Sequence, residues 1–232
     1  MPHDEIKRKL ILAGKVLVAE GQDDFTRGHI SVRLPDDPSR FFMKPHSVGL
    51  DELTIENILT IDLDGNVVAG TARRHSEVYI HSEIFKARAD VQSVVHTHPP
   101  YSVALSVSGG PLRCYSQPGA LFFEALGVYS DTVALIRTPA MGKGVATALG
   151  PHRAALLKNH GVAVVGASIE EAVINVIMLE NAAQVQMIAE AAGDPGPELR
   201  RADIEKLKQE ISQPEQFVVN FNYLARRVER SV

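Results

Sequence analysis

Two histidines, His96 and His98, stand one residue apart in the stretch SVVHTHPPYSVALS, at the end of an apolar run that Pro99 and Pro100 terminate. On a β-strand, residues i and i+2 point to the same face and lie about 6–7 Å apart along the chain, whereas on a helix they would diverge by about 200°. A strand therefore brings both imidazoles to one point, as a divalent metal requires. Two hydrogen-bonded histidines at a strand end are the alternative interpretation of this pattern alone.

Two further residues favour the metal. His160 lies in a tight turn between two apolar runs, and such a turn holds its side chains at the end of a sheet. Glu77 stands in the first turn of a predicted helix that precedes the His-x-His strand. Three imidazoles and one carboxylate would satisfy zinc or manganese, and the carboxylate could also act as a general base. A glutamate in a first helical turn also interacts favourably with the helix dipole without any chemistry.

Apolar periodicity and turn residues predict the elements that must position these side chains. The predicted strands are GHISVR, RFFMKP, the hairpin ILTIDLDGNVVAG, VQSVVHTH, DTVALIRT (from Asp131) and the paired strands RAALLKNHGVAVVGAS. The predicted helices begin at Asp4, at Ser76 as a cap, after Pro99, at Met141 and at Ser168, where Ser168 and Glu171 form a capping box.

Strands that occur in consecutive pairs, and also alternate with helices, favour an α/β fold with helices on the faces of a mainly antiparallel sheet. The segment GDPGPE, which begins at Gly193, is linker-like. We therefore expect one domain over residues 1–192. The C-terminal tail, residues 193–232, should pack on that domain or on a neighbouring subunit.

The composition narrows the function classes. The 232 residues are 45% apolar and 22% charged, which is typical of a globular protein, and the single Cys114 rules out an internal disulfide. A net charge of −4 offers no electrostatic footprint for nucleic acid. We find no unbroken apolar run of the roughly 18–20 residues that a membrane span needs, and no convincing signal peptide. The expected location is cytoplasmic.

The stretches HSEVYIHSEIFKARADVQSVVHTHPPYSVALS and LLKNHGVAVVGASIEEA resemble the class II aldolase/adducin family. The resemblance runs from about Gly28 to about Ala189 and rests on the order Glu, helix, His-x-His, Asn-His-Gly. That family contains fuculose-phosphate and rhamnulose-phosphate aldolases, ribulose-phosphate 4-epimerase, a dehydratase, several decarboxylases and the adducin head. It implies a three-layer α/β/α fold around a mainly antiparallel sheet.

The resemblance also implies roles for individual residues. His96, His98 and His160 look like the ligands of one divalent ion per subunit, Zn²⁺ or Mn²⁺, with Fe²⁺ and Co²⁺ as alternatives. Glu77 looks like a further ligand or the acid/base. Family members are typically homotetramers with active sites at subunit interfaces, and Tyr223 resembles the tyrosine that they offer to a neighbouring subunit. The implied chemistry is cleavage of a carbon–carbon bond through a metal-stabilised enolate, which an acid then protonates.

Departures from the sugar-phosphate pattern bear on the substrate. The aldolases carry small hydroxyl and amide residues around the phosphate, whereas this chain has imidazole and guanidinium groups there. Arginine suits a carboxylate, and imidazole can bond to or stack on a flat ring. We therefore predict a decarboxylase of a hydroxylated aromatic or heteroaromatic dicarboxylate. The predicted substrate contacts are His29, Lys44, His46, Arg73, Arg74, His75, Ser76 and Tyr223.

Other interpretations remain open at this point. An aldolase or epimerase-type lyase acting on a small sugar phosphate or sugar acid would use the same metal ligands. A non-catalytic module like the adducin head would have no need of a costly polar cluster. Arg73 and Arg74 could be solvated loop residues, and His29 could be structural. We expect His81, one helical turn after Glu77, on the helix surface or in an interface.

Overall fold

The computed structural model describes residues 3–230 of the chain. Its strands β1 to β8 span His29–Arg33, Arg40–Met43, Leu59–Asp62, Val67–Ala69, Ser93–Thr97, Leu126–Tyr129, Ala154–Leu157 and Gly161–Gly166. Its helices α1 to α8 span His3–Ala19, Val78–Ala87, Pro100–Ser108, Gln117–Ala120, Pro139–Leu149, Ile169–Ala191, Arg201–Ile211 and Pro214–Arg230. A short 3-10 helix covers Leu50–Glu52.

The eight strands form one sheet in the order β4-β3-β2-β1-β5-β8-β7-β6. Neighbouring strands are antiparallel except β6 and β7, which run parallel. Strand β5 lies between β1 and β8, where His96 pairs with His29 on one side and with Ala163 on the other. The prediction of a mainly antiparallel sheet is confirmed, and the His-x-His motif lies at the end of one of its inner strands.

Helices cover both faces of the sheet because successive side chains along each strand point to opposite faces. On β5, Val95 belongs to the apolar core that α1, α3, α6 and α8 cover. Its neighbour Val94 belongs to a second core, which α2 and α5 cover. The chain therefore has the predicted three-layer α/β/α architecture.

Helix α6 lies in the larger core. Ser168 Oγ accepts a hydrogen bond from the backbone N–H of Glu171 at 3.1 Å, and the Glu171 carboxylate accepts one from Ala167 at 2.9 Å. Among residues 3–230, α6 is the one helix long and apolar enough to cross a membrane, but 56% of its most apolar 18 residues are buried in the protein. Packing against the sheet and α8 accounts for this apolar character.

The last two helices bury apolar side chains against the rest of the chain. Ile204 of α7 packs with Cys114 and Ala120. Phe217 and Phe221 of α8 are part of the larger core. Residues 201–230 therefore contribute to the interior of the described structure.

The strand predicted over residues 131–138 is wrong. This segment has no regular structure, and the edge strand is instead β6, which pairs with β7. Apolar residues in the segment suggested a strand, but Val133 is 63% exposed while Ile136 is buried. The backbone of Ile136 bonds to a side chain of the site described below, and this contact replaces strand pairing.

Helices α2 and α5 pack so closely that only glycine fits at residue 142. A β-carbon on Gly142 would lie 2.3 Å from the carbonyl oxygen of Tyr79 in α2. We expect Gly142→Ala to lower the free energy of unfolding by roughly 1–3 kcal/mol, although alanine favours an isolated helix by about 1 kcal/mol. Urea unfolding measures the change. The control is Gly110→Ala, where the nearest atom is 3.8 Å away; equal stabilities of the two variants would contradict the packing argument.

Candidate metal centre

His96 lies in β5, and His98 follows immediately after the strand. The Nδ1 atom of His96 lies 2.9 Å from the carbonyl oxygen of Val162 on β8. Because a carbonyl only accepts, Nδ1 carries the proton, and Nε2 of His96 is left with a free lone pair. The Nε2 atoms of His96 and His98 are 3.1 Å apart. The two rings therefore converge on one point.

His160 reaches the same point from the turn between β7 and β8. Its ring stacks against that of His98 with a centroid distance of 5.3 Å. Asn159 turns the chain with a left-handed backbone (φ 57°), which asparagine tolerates better than most residues. Gly161 follows because a β-carbon there would lie 2.5 Å from the carbonyl oxygen of Thr97 and 2.6 Å from the His98 ring. The Asn-His-Gly sequence thus meets the steric demands of placing His160 beside His98.

Glu77 faces the imidazoles from the start of α2. The helix begins at Val78, so Glu77 is its cap residue, and the prediction that Ser76 caps the helix is wrong. The Glu77 side chain makes no cap hydrogen bond. Its Oε1 lies 3.5 Å from His160 Nε2, and its Oε2 lies 4.0 Å from His96 Nε2. The carboxylate is therefore directed at the histidines rather than at the helix terminus.

The surroundings of Glu77 favour its protonated form. The residue is buried, and burial raises the pKa of its carboxyl above the ordinary value. A hydrogen bond from the backbone N–H of Ile136 to Oε1, at 2.8 Å, and the charge of Arg137 act in the opposite direction. The carboxyl is thus more basic than an exposed glutamate.

These side chains fit a divalent ion. The donor atoms of His96, His98 and His160 lie within 4.8 Å of one another, and so do those of His29, Glu77 and His96. Both ring nitrogens of His160 are buried without a hydrogen-bond partner among residues 3–230. Buried polar atoms are normally satisfied, so this pair indicates a missing partner such as a cation. Imidazole nitrogen with carboxylate oxygen is a donor set that zinc and manganese accept.

Burial also keeps the three histidines in the neutral form that binds metal. It lowers the pKa of His160 to about 4, and the charges of His98 and Arg27 add to the effect. The pKa of His96 is lowered well below its ordinary value, again mainly by burial. For His98, burial lowers the pKa and the nearby Asp24 partly offsets it.

Asp24 contacts His98 on the side of the ring that faces away from the candidate metal site. One carboxylate oxygen lies 3.1 Å from His98 Nδ1, and the other accepts a hydrogen bond from Arg27 at 2.7 Å. A carboxylate in this place fixes the orientation of a ligating histidine and raises its basicity. The sequence analysis missed Asp24, which lies in the irregular segment before β1 with no fixed spacing from His98.

A buried row of three side chains lies behind Glu77. Ser31 Oγ is 2.6 Å from His81 Nδ1, and His81 Nε2 is 2.6 Å from His29 Nδ1. His29 Nε2 then lies 4.0 Å from Glu77 Oε2. The prediction that His81 lies on the surface or in an interface is wrong, because it is fully buried against β1. The available signals were the i, i+2 spacing of His29 and Ser31 and the i, i+4 spacing of Glu77 and His81.

A cleft of 530 Å³ opens over the histidines and Glu77. Three of the predicted substrate contacts line it, namely His46, His75 and Ser76. Arg27 and Arg137 line it as well, although the sequence analysis did not single them out. The cleft therefore joins the candidate metal ligands to two guanidinium groups.

Two predicted substrate contacts lie beneath the cleft. Lys44 is fully buried, and its Nζ donates to the carbonyl oxygens of Thr26 at 2.9 Å and Pro45 at 3.2 Å. Burial lowers the pKa of Lys44 to about 8. His29 is also fully buried, behind Glu77. Lys44 thus connects the end of β2 to the segment that carries Thr26, which lines the cleft.

The other predicted contacts lie outside the cleft. Arg74 donates to the carbonyl oxygen of His75 at 3.1 Å and lies over the ring of Tyr79. Arg73 does not line the cleft either. Tyr223 is 52% exposed on α8. Within one chain, the guanidinium groups that line the cleft are thus those of Arg27 and Arg137 and not those of Arg73 and Arg74.

Fold and site together define a class of protein. Residues 8–187 match the family described as Class II Aldolase and Adducin N-terminal domain, and the chain belongs to this family. It is 33% identical over 174 residues to Decarboxylase NovR of Streptomyces niveus. That match covers 74% of this chain and 64% of the relative. It is 29% identical over 218 residues to 3,4-dihydroxyphthalate decarboxylase of Arthrobacter keyseri. That match covers 89% of this chain and 88% of the decarboxylase.

A solved structure extends the likeness to the aldolases. L-fuculose 1-phosphate aldolase from Glaciozyma antarctica PI12 superposes with a TM-score of 0.87 at 28% identity, covering 98% of this chain and 89% of that one. The resemblance predicted from the sequence is confirmed. The chain is thus similar both to proteins named as decarboxylases and to a protein named as an aldolase.

We expect the metal-free protein to lose stability as the pH falls below about 6.5. Burial lowers the pKa of His75 and His81 to about 3 each and that of His160 to about 4. Their ordinary value is about 6.5, so between about pH 6 and pH 4 these three histidines together bind up to three more protons in the unfolded chain than in the folded one. At about 1.4 kcal/mol per proton, their contribution to the slope reaches about 4 kcal/mol per pH unit.

Urea unfolding of chelator-treated protein at several pH values measures this slope. The variant His81→Gln keeps hydrogen-bonding groups and removes one titrating site, so its slope should fall by about one proton. A stability that does not change across this pH range would show that the histidines are not held neutral by the fold.

Proposed function

We propose that this protein is a divalent-metal-dependent carbon–carbon lyase that decarboxylates a hydroxylated aromatic or heteroaromatic dicarboxylate. The convergence of three imidazoles and Glu77 at the floor of a 530 Å³ cleft carries the proposal. Cavities of about 300–1,000 Å³ are usual for small-molecule sites. A relative that covers 89% of this chain is named for the decarboxylation of 3,4-dihydroxyphthalate.

In this proposal His96, His98 and His160 hold the ion, and Glu77 is a fourth ligand or a free acid/base. When bound, a Zn²⁺ or Mn²⁺ ion acts as a Lewis acid that draws negative charge from an oxygen of the substrate. The protein contributes the geometry. Asp24 orients His98, and the carbonyl of Val162 orients His96.

Glu77 is the proposed proton donor and acceptor. Loss of carbon dioxide leaves an electron pair on a ring carbon, which must take up a proton. A buried carboxyl with a raised pKa holds that proton more readily than an exposed glutamate does. The N–H of Ile136 fixes Oε1, and Oε2 makes no hydrogen bond to it and faces His29 and His96. His46, His75 and Ser76, which also line the cleft, would contact the substrate ring.

The proposal includes an assembly. We propose a cytoplasmic homotetramer, as the family resemblance implies, in which residues 193–232 pack on their own domain or on a neighbouring subunit. Tyr223 is exposed on α8 and does not line the cleft of its own chain. Any contact of Tyr223 with substrate would therefore be made in the site of a neighbouring subunit.

An aldolase acting on a small sugar phosphate is the second candidate. The superposition with L-fuculose 1-phosphate aldolase, with a TM-score of 0.87 over 98% of the chain, favours it. The same ligands and the same acid/base would then cleave the bond to an aldehyde rather than to carbon dioxide.

Carbon dioxide release tests the proposed function. Chelator-treated protein, resupplied with manganese or zinc, is offered ortho-hydroxylated aromatic and pyridine dicarboxylates, with a sugar-phosphate panel in parallel. We expect carbon dioxide only when a metal is added, because the Lewis acid must accept the negative charge. An aldehyde product from a sugar phosphate would establish the aldolase instead.

Two variants separate metal binding from proton transfer. Glu77→Gln keeps the shape of the side chain and its bond to Ile136 but cannot exchange a proton, so we expect most of the metal to remain and turnover to fall about 10²–10⁴-fold. His96→Ala should lose both metal and activity, because it removes a ligand.

Metal content by mass spectrometry and initial rates give the two readouts. His152→Ala, outside the cleft, is the control for loss of a histidine. Full turnover by Glu77→Gln would remove its acid/base role.

A further inference from the structure

Arg137 lines the cleft with an uncommitted guanidinium group. Within residues 3–230 its side chain makes no hydrogen bond and no ion pair. Arg27, the other cleft arginine, donates to Asp24 at 2.7 Å, and Asp24 in turn faces His98. The charge of Arg27 is therefore already matched by an acid, whereas that of Arg137 is available to a ligand.

The position of Arg137 is set by its neighbour. The backbone N–H of Ile136 donates to Glu77 at 2.8 Å. This bond holds the irregular segment 131–138 beside the candidate metal site. Arg137 is close enough for its charge to favour the ionised form of Glu77. A group bound by Arg137 would thus lie in the same cleft as Glu77.

The charges that line the cleft favour a dianion. Counted as formal charges, with Glu77 ionised once the ion is bound, Asp24 and Glu77 contribute two negative charges and Arg27 and Arg137 contribute two positive ones. The divalent ion of the proposed function adds two more, while the histidines stay neutral. The loaded cleft therefore carries an excess of about two positive charges, which a substrate with two anionic groups would neutralise.

Part of the cleft lining is apolar. Pro100 and Val103 of α3 line it together with Leu135, which precedes the anchored Ile136. Such a surface suits a flat ring, and a guanidinium fork beside it suits a carboxylate in the plane of that ring.

We infer that Arg137 binds the carboxylate that stays on the ring, and that it selects aromatic substrates with two carboxylates over those with one. This inference rests on the proposed function, since it assigns the second anionic group of the same substrate class. Arg137 is a specificity-determining residue here, and Arg27 is a support for Asp24 and His98.

Direct binding tests this without turnover. Titration calorimetry with manganese-loaded protein compares phthalate, benzoate and phenyl phosphate as probes. We expect the wild type to bind phthalate at least tenfold more tightly than benzoate, because a hydrogen-bonded ion pair is added. Arg137→Gln should abolish that difference and leave benzoate binding unchanged, and Arg137→Lys should restore part of it. Arg73→Gln, outside the cleft, is the matched control and should retain the full preference.

Three results would overturn the inference: no preference for phthalate in the wild type, a preference that survives Arg137→Gln, or an equal loss in Arg73→Gln. Phenyl phosphate bound more tightly than phthalate, with that advantage lost in Arg137→Gln, would assign the group to a phosphate and overturn the dicarboxylate class. Carbon dioxide release is measured separately, so a protein that shows the binding preference without decarboxylation would refute the proposed function and not the role of Arg137.

Discussion

The burial of Glu77 among histidine rings is the constraint on which the site depends. An ionised carboxylate away from water costs several kcal/mol unless charges or hydrogen bonds compensate. Among the described residues one backbone N–H, from Ile136, bonds to it, and the surrounding imidazoles are held neutral by burial. The site therefore calls for either a cation or a proton at this carboxyl. A metal-dependent lyase would use both, so the energetic cost of burying Glu77 favours metal binding as well as proton transfer.

Three separate chain segments must meet at that carboxyl, and α3 connects two of them. Helix α3 starts just after His98, where the Glu180 carboxylate of α6 accepts its first backbone N–H groups at 2.8 Å. Near the other end of α3, Ser106 Oγ accepts the N–H of Asn159 at 3.1 Å. The same short helix therefore fixes the position of His98 and the turn that carries His160. The double proline after His98 makes this compact arrangement possible, because it ends β5 and starts the helix at once.

Local patterns in the sequence predicted the framework and the convergence of the histidines. The alternation in β5 and the tight turn at His160 are short-range signals, so they could be read without the fold. Asp24 and Arg137 have no such signal, because each comes from an irregular segment whose path long-range contacts decide. The segment that carries Arg137 had the composition of a strand, but the bond from Ile136 to Glu77 holds it out of the sheet. Functional contacts overrode local preference there.

The row of His29, His81 and Ser31 bears on how Glu77 can change its protonation state while buried. If His81 donates to His29, then His29 Nε2 carries a proton and faces the ionised Glu77 at 4.0 Å as a donor. If His29 donates to His81, its Nε2 offers a lone pair to a protonated Glu77 instead. The Ser31 hydroxyl can donate or accept, so it completes either arrangement. The bonds between Ser31, His81 and His29 are therefore kept in either arrangement, and His29 Nε2, which has no hydrogen-bond partner among the described residues, faces Glu77 in both. An apolar side chain in place of His81 would break both bonds.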